Sequence, residues 1–395
     1  MNNRARLWTL LILILFTALG FTMRWMAANA AEYDRSEQYT ILAKSIRDDK
    51  VMLFTAAYVQ RDYLRKPPVL PHLLALFRSQ RNFFRFLAVL STLLIPMTYW
   101  LGRIWKLETT GLVAACLLAV WGPSIELMST MHPETLFVFF FLSGLLLLRP
   151  PESWTKVALY LAAGLVFSTA ELTRPVLLPF VVLLGGALFV IGLRRKVGGN
   201  KRWIAAVLLA VGFFSPILMY HHRTAQHGFV WVYDRKGVTV LTPLLEDGET
   251  FDYIQPLRPD NWHELTDSQR EQFVMNLAAK IVQKQPVAVI KKSLVRLSQF
   301  WLTGFGRWTA MFPAPHLFLN LFAIIGFAVL FRKNRFAFLI SSILFIDFSL
   351  MAMVIFTKPR FREVITPWHL LLVGVGITYI LEWLREKRNN RHNIT

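Results

Sequence analysis

Residues 7–39 read LWTLLILILFTALGFTMRWMAANAAEYDRSEQY, an apolar segment followed at once by a cluster of charged residues. The hydrocarbon core of a bilayer, about 30 Å thick, requires roughly 20 apolar residues in a helix, so residues 7–26 are long enough to cross it. Asp34 and Glu37 follow within a few residues, and on a helix they would share one face. The sequence therefore predicts a membrane span with carboxylates at its exit.

The composition is that of an integral membrane protein. Of the 395 residues, 55% are hydrophobic, and the mean hydropathy of +0.43 is above what the core of a soluble protein requires. The net charge of +20 does not indicate nucleic-acid binding, because Lys and Arg lie mostly in short segments between apolar runs. A single cysteine, Cys116, excludes an intrachain disulfide and a cysteine metal cluster.

Ten apolar segments are long enough, or nearly so, to span a bilayer. They are residues 7–26, 84–102, 108–123, 134–149, 156–172, 175–193, 203–220, 315–331, 336–356 and 364–384. Short connections rich in Lys and Arg stay in the cytoplasm, and here they alternate with connections poor in these residues. We therefore predict that both termini are cytoplasmic. The first segment is expected to remain as a span, although its basic, apolar and A-x-A order is also that of a signal peptide.

This orientation places two long segments, 27–83 and 221–314, on the outer side of the membrane. The chain is accordingly divided into an N-terminal transmembrane region, 1–220, an outer loop region, 221–314, and a C-terminal transmembrane region with a basic tail, 315–395. The outer loop region is expected to contain a short hairpin, an amphipathic helix from Asp267 to Pro286, and a helix over 287–305 in the headgroup layer. The predicted fold class is an all-α polytopic bundle of about ten transmembrane helices, with helices along its outer face and a small outer domain.

The same orientation collects polar side chains of both signs on the outer side. They include Asp34, Glu37, His132, Glu134, Glu171, Arg174, Lys358, Arg360 and Arg362. A carboxylate at the water interface can act as general base on an acceptor hydroxyl or amine. Guanidinium groups bind phosphate oxygens in bidentate pairs. This combination predicts transfer of a group from a phosphate-linked donor, whereas the scattered histidines lack the spacing of a metal site.

Several stretches resemble the motifs of a known family when they are taken in order. They are RKPPVLPHLLALF (65–77), HPETLFVFF (132–140), ELTRPVLLPF (171–180), SPILMYHHRTAQHGFVWV (215–232) and KPRFREVITPWHLLLVG (358–374). Over nearly the whole chain the sequence resembles the polytopic GT-C glycosyltransferases. The resemblance is greatest to bacterial proteins related to protein O-mannosyltransferases and to the aminoarabinose transferase of lipid A. It implies a GT-C-like bundle.

The resemblance also implies an activity, namely inverting transfer of a sugar from a polyprenyl-phosphate donor to a lipid, glycan or protein acceptor. Asp34 would be the general base, with Glu37 and Glu134 as alternatives because Arg35 occupies the position of the family's acid. The donor phosphate would be held by Lys66, Arg174, Arg360 and Arg362. Acceptor or base would be oriented by Tyr39, His132 and Glu171. No firm cofactor is implied, and metal dependence varies within the class.

Two other functions fit the same features. A transporter or flippase of a lipid-linked sugar would also need a cationic cleft, but it predicts ionisable residues in the membrane interior. The spans from 84 to 193 are nearly free of charge in their middles, and Asp347, in the ninth span, is the notable exception. A non-catalytic assembly partner built on the GT-C scaffold is the other alternative. For each, the expected location is a bacterial plasma membrane, with the site on the outer face. The expected partners are membrane lipids, the donor and the acceptor, and not nucleic acid.

Overall fold

A computed structural model describes residues 3–31, 37–49, 67–194, 199–225, 255–261, 265, 267–302, 313–354 and 359–392. All regular elements in these ranges are helical. The α-helices are α1 Asn3–Asn29, α2 Glu37–Asp49, α3 Val69–Ala75, α4 Gln80–Ile104, α5 Glu108–Ala119, α6 Gly122–Glu126, α7 Glu134–Leu147, α8 Trp154–Thr173, α9 Leu178–Arg194, α10 Gly199–Ala225, α11 Asp267–Lys284, α12 Pro286–Leu302, α13 Pro313–Lys333, α14 Arg335–Val354 and α15 Thr366–His392. Short 3₁₀ helices cover Leu127–Ser129, Gln255–Leu257 and Pro359–Ile365.

The predicted spans correspond to observed helices, and the chain is a multi-pass membrane protein. In the described residues, seven helices are long and apolar enough to cross a membrane, or eight if the bent α5–α6 pair forms one span. The predicted segments 134–149 and 175–193 form α7 and α9, which are apolar but shorter, with 14 and 17 residues. Each of the ten predicted segments therefore has a helix or a helix pair at its place.

The third predicted span, residues 108–123, is not one straight helix. It bends by 51° between α5 and α6. Arg24 of α1, which is fully buried, donates hydrogen bonds to the carbonyls of Leu118 and Ala119 at 2.8 and 2.9 Å. Carbonyls at a helix C-terminus lack intrahelical donors and attract cations through the helix dipole. The buried arginine thus stabilises the break by binding the end of α5.

Small residues allow the helices of the bundle to approach closely. A Cβ atom added to Gly164 of α8 would lie 2.4 Å from the carbonyl oxygen of Leu209, and one added to Gly212 of α10 would lie 2.3 Å from that of Leu161. Helix association in a membrane depends on close packing, since lipid tails are as apolar as the side chains. The two glycines therefore allow the close contact between α8 and α10. Helix α8 also packs against α7, and α10 packs against α9.

A second, smaller core lies at the end of the bundle where α1 ends and α4 begins. Leu70 and Leu74 of α3 pack there with Phe83 and Phe84 of α4. Arg47 of α2 fixes the connection between α3 and α4, because its guanidinium donates to the carbonyls of Ala75 and Phe77 at 3.2 and 2.6 Å. The predicted outer segment 27–83 therefore contains two packed helices, α2 and α3, in its described parts.

The helices predicted for the outer loop region are present. The amphipathic helix is α11, which ends at Lys284, and the predicted headgroup helix is α12. Arg296 and Ser293 of α12 donate to the carbonyl of Met353 at 2.6 and 2.9 Å, so α12 lies against the C-terminal end of α14. Helix α10 continues to Ala225, beyond the predicted end at residue 220. The predicted hairpin lies outside the described residues.

Candidate functional site

The predicted site residues differ in how far the structure describes them. Asp34 and Lys66 lie outside the described residues. Glu37 is the first residue of α2, and Arg360 lies in the 3₁₀ helix 359–365; for both, the structure defines the place in the fold and not the side chain. The side chains of six predicted residues are described: Tyr39, His132, Glu134, Glu171, Arg174 and Arg362.

An ion pair joins two of the predicted residues. Glu134 is in the first turn of α7, and Arg174 immediately follows the last residue of α8. Arg174 Nη1 lies 2.6 Å from Glu134 Oε1, with side-chain exposures of 12% and 2% respectively. A buried carboxylate is stable only when it is paired and hydrogen-bonded. Arg174, which is predicted to bind the donor phosphate, is therefore bonded to Glu134, which is one of the candidate general bases.

Glu171 fixes the turn that carries Arg174. Its Oε2 accepts hydrogen bonds from the backbone N–H groups of Val176 and Leu177 at 2.9 and 2.6 Å. These N–H groups precede α9, so the carboxylate satisfies donors that have no partner within the helix. In this structure Glu171 is a buried residue that positions Arg174, because it holds the chain directly after that arginine.

Tyr39 and His132 lie at the same end of the bundle as the ion pair. Tyr39 of α2 packs against the second core, which also contains Met131 and Leu136. These two residues flank His132 and Glu134 in the sequence. The structure therefore places Tyr39 against the same core as the residues that flank His132 and Glu134, although 95 residues separate Tyr39 from Glu134.

Arg362 is buried and engaged with protein groups. Its Nη1 donates to the carbonyls of Phe300 and Trp301, both at 3.1 Å, and its Nη2 lies 3.0 Å from His316 Nε2. The two carbonyls are at the C-terminal end of α12. These contacts occupy Nη1 and one donor of Nη2. The contacts give Arg362 a structural role, and its predicted role in binding the donor phosphate stays a prediction.

The sequence interpretation did not identify Glu363 and its partners. Glu363 Oε2 accepts from Trp121 Nε1 at 2.8 Å and from Thr366 Oγ1 at 2.9 Å. The Trp121 ring also meets the His316 ring edge-on, with the centroids 5.3 Å apart. The sequence feature that could have identified Glu363 is its position directly after Arg362, at the start of the last predicted span. This cluster links the break after α5 to the 3₁₀ helix 359–365, which also packs against α7.

Comparison with solved structures identifies the fold. The archaeal oligosaccharyltransferase AglB from Archaeoglobus fulgidus, in complex with an inhibitory peptide and a dolichol-phosphate, superposes with a TM-score of 0.54 and 14% identity, over 99% of this chain and 52% of that one. The Archaeoglobus fulgidus oligosaccharyltransferase tethered with an acceptor peptide containing the NVT sequon gives a TM-score of 0.50 and 13% identity, over 96% and 50%.

The chain spans about half the length of the solved structures that it matches. No protein-family model matches it. No curated protein sequence matches it either. The structural likeness shows that the transmembrane bundle has the fold of a GT-C membrane glycosyltransferase.

Proposed function

We propose that this protein is an inverting glycosyltransferase that moves a sugar from a polyprenyl-phosphate donor to a lipid, glycan or protein acceptor on the outer face of the membrane. The observation that carries the proposal is the buried Glu134–Arg174 ion pair, set in a bundle with a GT-C fold. The order of the motifs resembles that of protein O-mannosyltransferases and of the aminoarabinose transferase. This resemblance favours a donor in which the sugar is linked to a polyprenyl chain through one phosphate group.

The proposed reaction is a displacement at the anomeric carbon. Asp34 accepts the proton of the acceptor hydroxyl or amine as that group attacks the anomeric carbon from the face opposite the phosphate. The bond from this carbon to the phosphate oxygen breaks, and the phosphate leaves with the electron pair. Cationic side chains stabilise the negative charge that develops on the leaving phosphate. Glu37 and Glu134 are the alternative bases.

Arg174 is the best-supported ligand of the donor phosphate. It is held by Glu134 and by the turn that Glu171 fixes, so its guanidinium is preorganised, and at 12% it is the more exposed member of the pair. Preorganised donors stabilise a developing charge without reorganisation during the reaction. Lys66 and Arg360 complete the proposed set. Arg362 is omitted because its donors already bind protein groups.

The solved neighbours support the class of donor. One of them was determined with a dolichol-phosphate, which is a polyprenyl-type phosphate, and with an inhibitory peptide. A bundle of the same fold can therefore accommodate such a lipid. The peptide complexes also support a protein among the proposed acceptors.

The test is transfer of a radiolabelled sugar from polyprenyl phosphate to a membrane extract by the purified protein. General base catalysis contributes about 10²–10⁴-fold to rate, so Asp34→Asn should lower transfer by at least about 100-fold. Asp267→Asn, at the start of α11, is the matched control and should leave transfer unchanged. Unchanged transfer by Asp34→Asn would remove this residue as the base, and the same assay on Glu37→Gln and Glu134→Gln would then identify it.

One observation favours the transporter as a second candidate. Asp347 lies within α14, is 2% exposed, and its Oδ2 has no hydrogen-bond partner among the described residues. Ionisable residues in the membrane interior often mark a transport path. Reconstituted protein that moves a lipid-linked sugar between leaflets without transferring the sugar would favour this function. Lack of both activities would instead favour a non-catalytic assembly partner.

A further inference from the structure

We propose that the end of the bundle opposite the ion pair binds an anionic phospholipid of the cytoplasmic leaflet. A groove of about 480 Å³ runs between α4 and α7. It is lined by Leu93, Met97 and Ile104 of α4, by Phe139 and Leu146 of α7, and by Arg149. The volume lies within the range of about 300–1,000 Å³ that is typical of small-molecule sites. The choice of ligand for this groove rests on the function proposed above, because that function places the donor phosphate at the other end of the bundle.

The length of the groove corresponds to one leaflet. From Leu93 to Ile104, α4 advances by eleven residues, or about 16 Å at 1.5 Å per residue. This is about half of the roughly 30 Å hydrocarbon core. The groove therefore begins near the middle of the membrane and ends at one surface, as the acyl chain of a single phospholipid does.

Arg149 makes the open end of the groove cationic. Its Nε is buried and has no hydrogen-bond partner among the described residues. At the same end of the bundle, Trp105 Nε1, directly after α4, and Arg202 Nη1, in the first turn of α10, are also buried donors without a partner among the described residues, and neither lines the groove. Buried donors without acceptors are destabilising, so a ligand that supplies oxygen atoms is favoured here. A phosphate group offers several acceptors for such donors.

Other groups at this end also favour an anion at headgroup level. The guanidinium of Arg103 lies 5.4 Å from the ring centre of Trp100, and Trp100 is one of the residues that line the groove. Tryptophan is enriched at the membrane–water interface, which places this end at the headgroups. Two acids, Glu108 and Glu152, also lie at this end of the bundle. Tyr99 Oη donates a hydrogen bond to Glu108 Oε1 at 2.7 Å, and Lys156 Nζ lies 2.8 Å from Glu152 Oε2.

The positive charge of Arg149 and the predicted cytoplasmic side of this end together indicate which lipid the groove binds. The connections at this end are those predicted to be cytoplasmic, because they are rich in Lys and Arg. A polyprenyl-phosphate donor would present its phosphate at the opposite end, beside Arg174, and so could not place it at Arg149. A zwitterionic phospholipid would bring a cation as well as a phosphate to Arg149. An anionic glycerophospholipid matches both the apolar groove and its cationic end.

The experiment compares phosphatidylglycerol and phosphatidylcholine of the same acyl chains by native mass spectrometry of the full-length protein. We expect phosphatidylglycerol to be retained preferentially. A juxtamembrane cation contributes about 1 kcal/mol to the binding of an anionic lipid, so Arg149→Gln should weaken phosphatidylglycerol binding by roughly fivefold and leave phosphatidylcholine unchanged. Arg78→Gln, at an exposed position between α3 and α4 at the opposite end of the bundle, is the matched control and should bind both lipids like the unaltered chain.

A second variant tests the groove without altering charge. Met97→Trp adds volume within the groove and should lower the occupancy of both lipids. Equal binding of the two lipids by the unaltered chain would overturn the proposal, and so would full phosphatidylglycerol binding by Arg149→Gln. Displacement of phosphatidylglycerol by a polyprenyl phosphate would also overturn it, because that result assigns the groove to the donor.

Discussion

Arg174, which directly follows α8, and Glu134, which begins α7, are joined by a contact of 2.6 Å between Nη1 and Oε1. Forty residues separate them in the sequence, and neither side chain is more than 12% exposed. The pair therefore ties two helix ends together at the same place where the proposed donor phosphate would lie. The pair is therefore expected to affect both the stability of the protein and the transfer of the sugar, and these two effects can be measured separately.

The first prediction concerns the coupling of this pair. Removing one partner of a buried ion pair leaves the other charge unpaired and typically costs about 3–5 kcal/mol. Glu134→Gln and Arg174→Gln should each lower the thermal midpoint in detergent. The double variant should lose less than the sum of the two changes, because no charge is left unpaired.

Glu152→Gln provides the control for these variants. Its ion pair with Lys156 is exposed, and such pairs contribute about 0–1 kcal/mol. The thermal midpoint of this variant should stay close to that of the unaltered chain. Strictly additive losses for Glu134→Gln and Arg174→Gln would show that the two side chains do not interact in solution.

The second prediction concerns Arg24. Beyond its bonds to α5, its Nε donates to Ser91 Oγ at 2.8 Å, and its side chain is fully buried. Arg24→Met should be destabilising by about 2 kcal/mol or more, because the carbonyls of Leu118 and Ala119 would lose their donors. Thermal unfolding measures this loss, and Arg6→Met, at an exposed position of α1, should change it little. Equal midpoints for the two variants would contradict the role assigned to Arg24.

The third prediction distinguishes the roles of Arg360 and Arg362, which are two residues apart in the same turn. Arg362→Gln should lower the thermal midpoint, because the carbonyls of Phe300 and Trp301 lose a charged donor. Arg360→Gln should leave the midpoint unchanged and raise the KM for the polyprenyl-phosphate donor by about tenfold, as the loss of one charge-assisted hydrogen bond does. A raised KM for a stable Arg362→Gln variant would return Arg362 to the phosphate site.

The fold was largely predictable because hydropathy alone locates helices that cross a membrane. All ten apolar segments coincide with helices, and α11 and α12 coincide with the predicted outer helices. The bend after α5 was not predictable in the same way. It depends on Arg24, which is 94 residues from Leu118, and hydropathy describes Arg24 only as a charge at the end of a span.

The site was predictable only as a set of residues on one side of the membrane. Glu134 and Arg174 were both identified, but their contact depends on how α7 packs against α8. Arg360 and Arg362 could not be told apart from the sequence, since both lie in the same short turn. Glu363 was missed because a buried acid and an exposed acid look alike at the head of an apolar segment.

Sidedness is the premise on which the proposed reaction depends, and cysteine labelling measures it. After Cys116→Ser removes the only native cysteine, single cysteines are introduced as Leu76→Cys, 78% exposed between α3 and α4, and Glu386→Cys, in the exposed end of α15. We expect an impermeant maleimide to label the cysteine of Leu76→Cys in intact cells, and that of Glu386→Cys only after permeabilisation. Labelling of both from the same side, or in the reverse order, would contradict a site on the outer face.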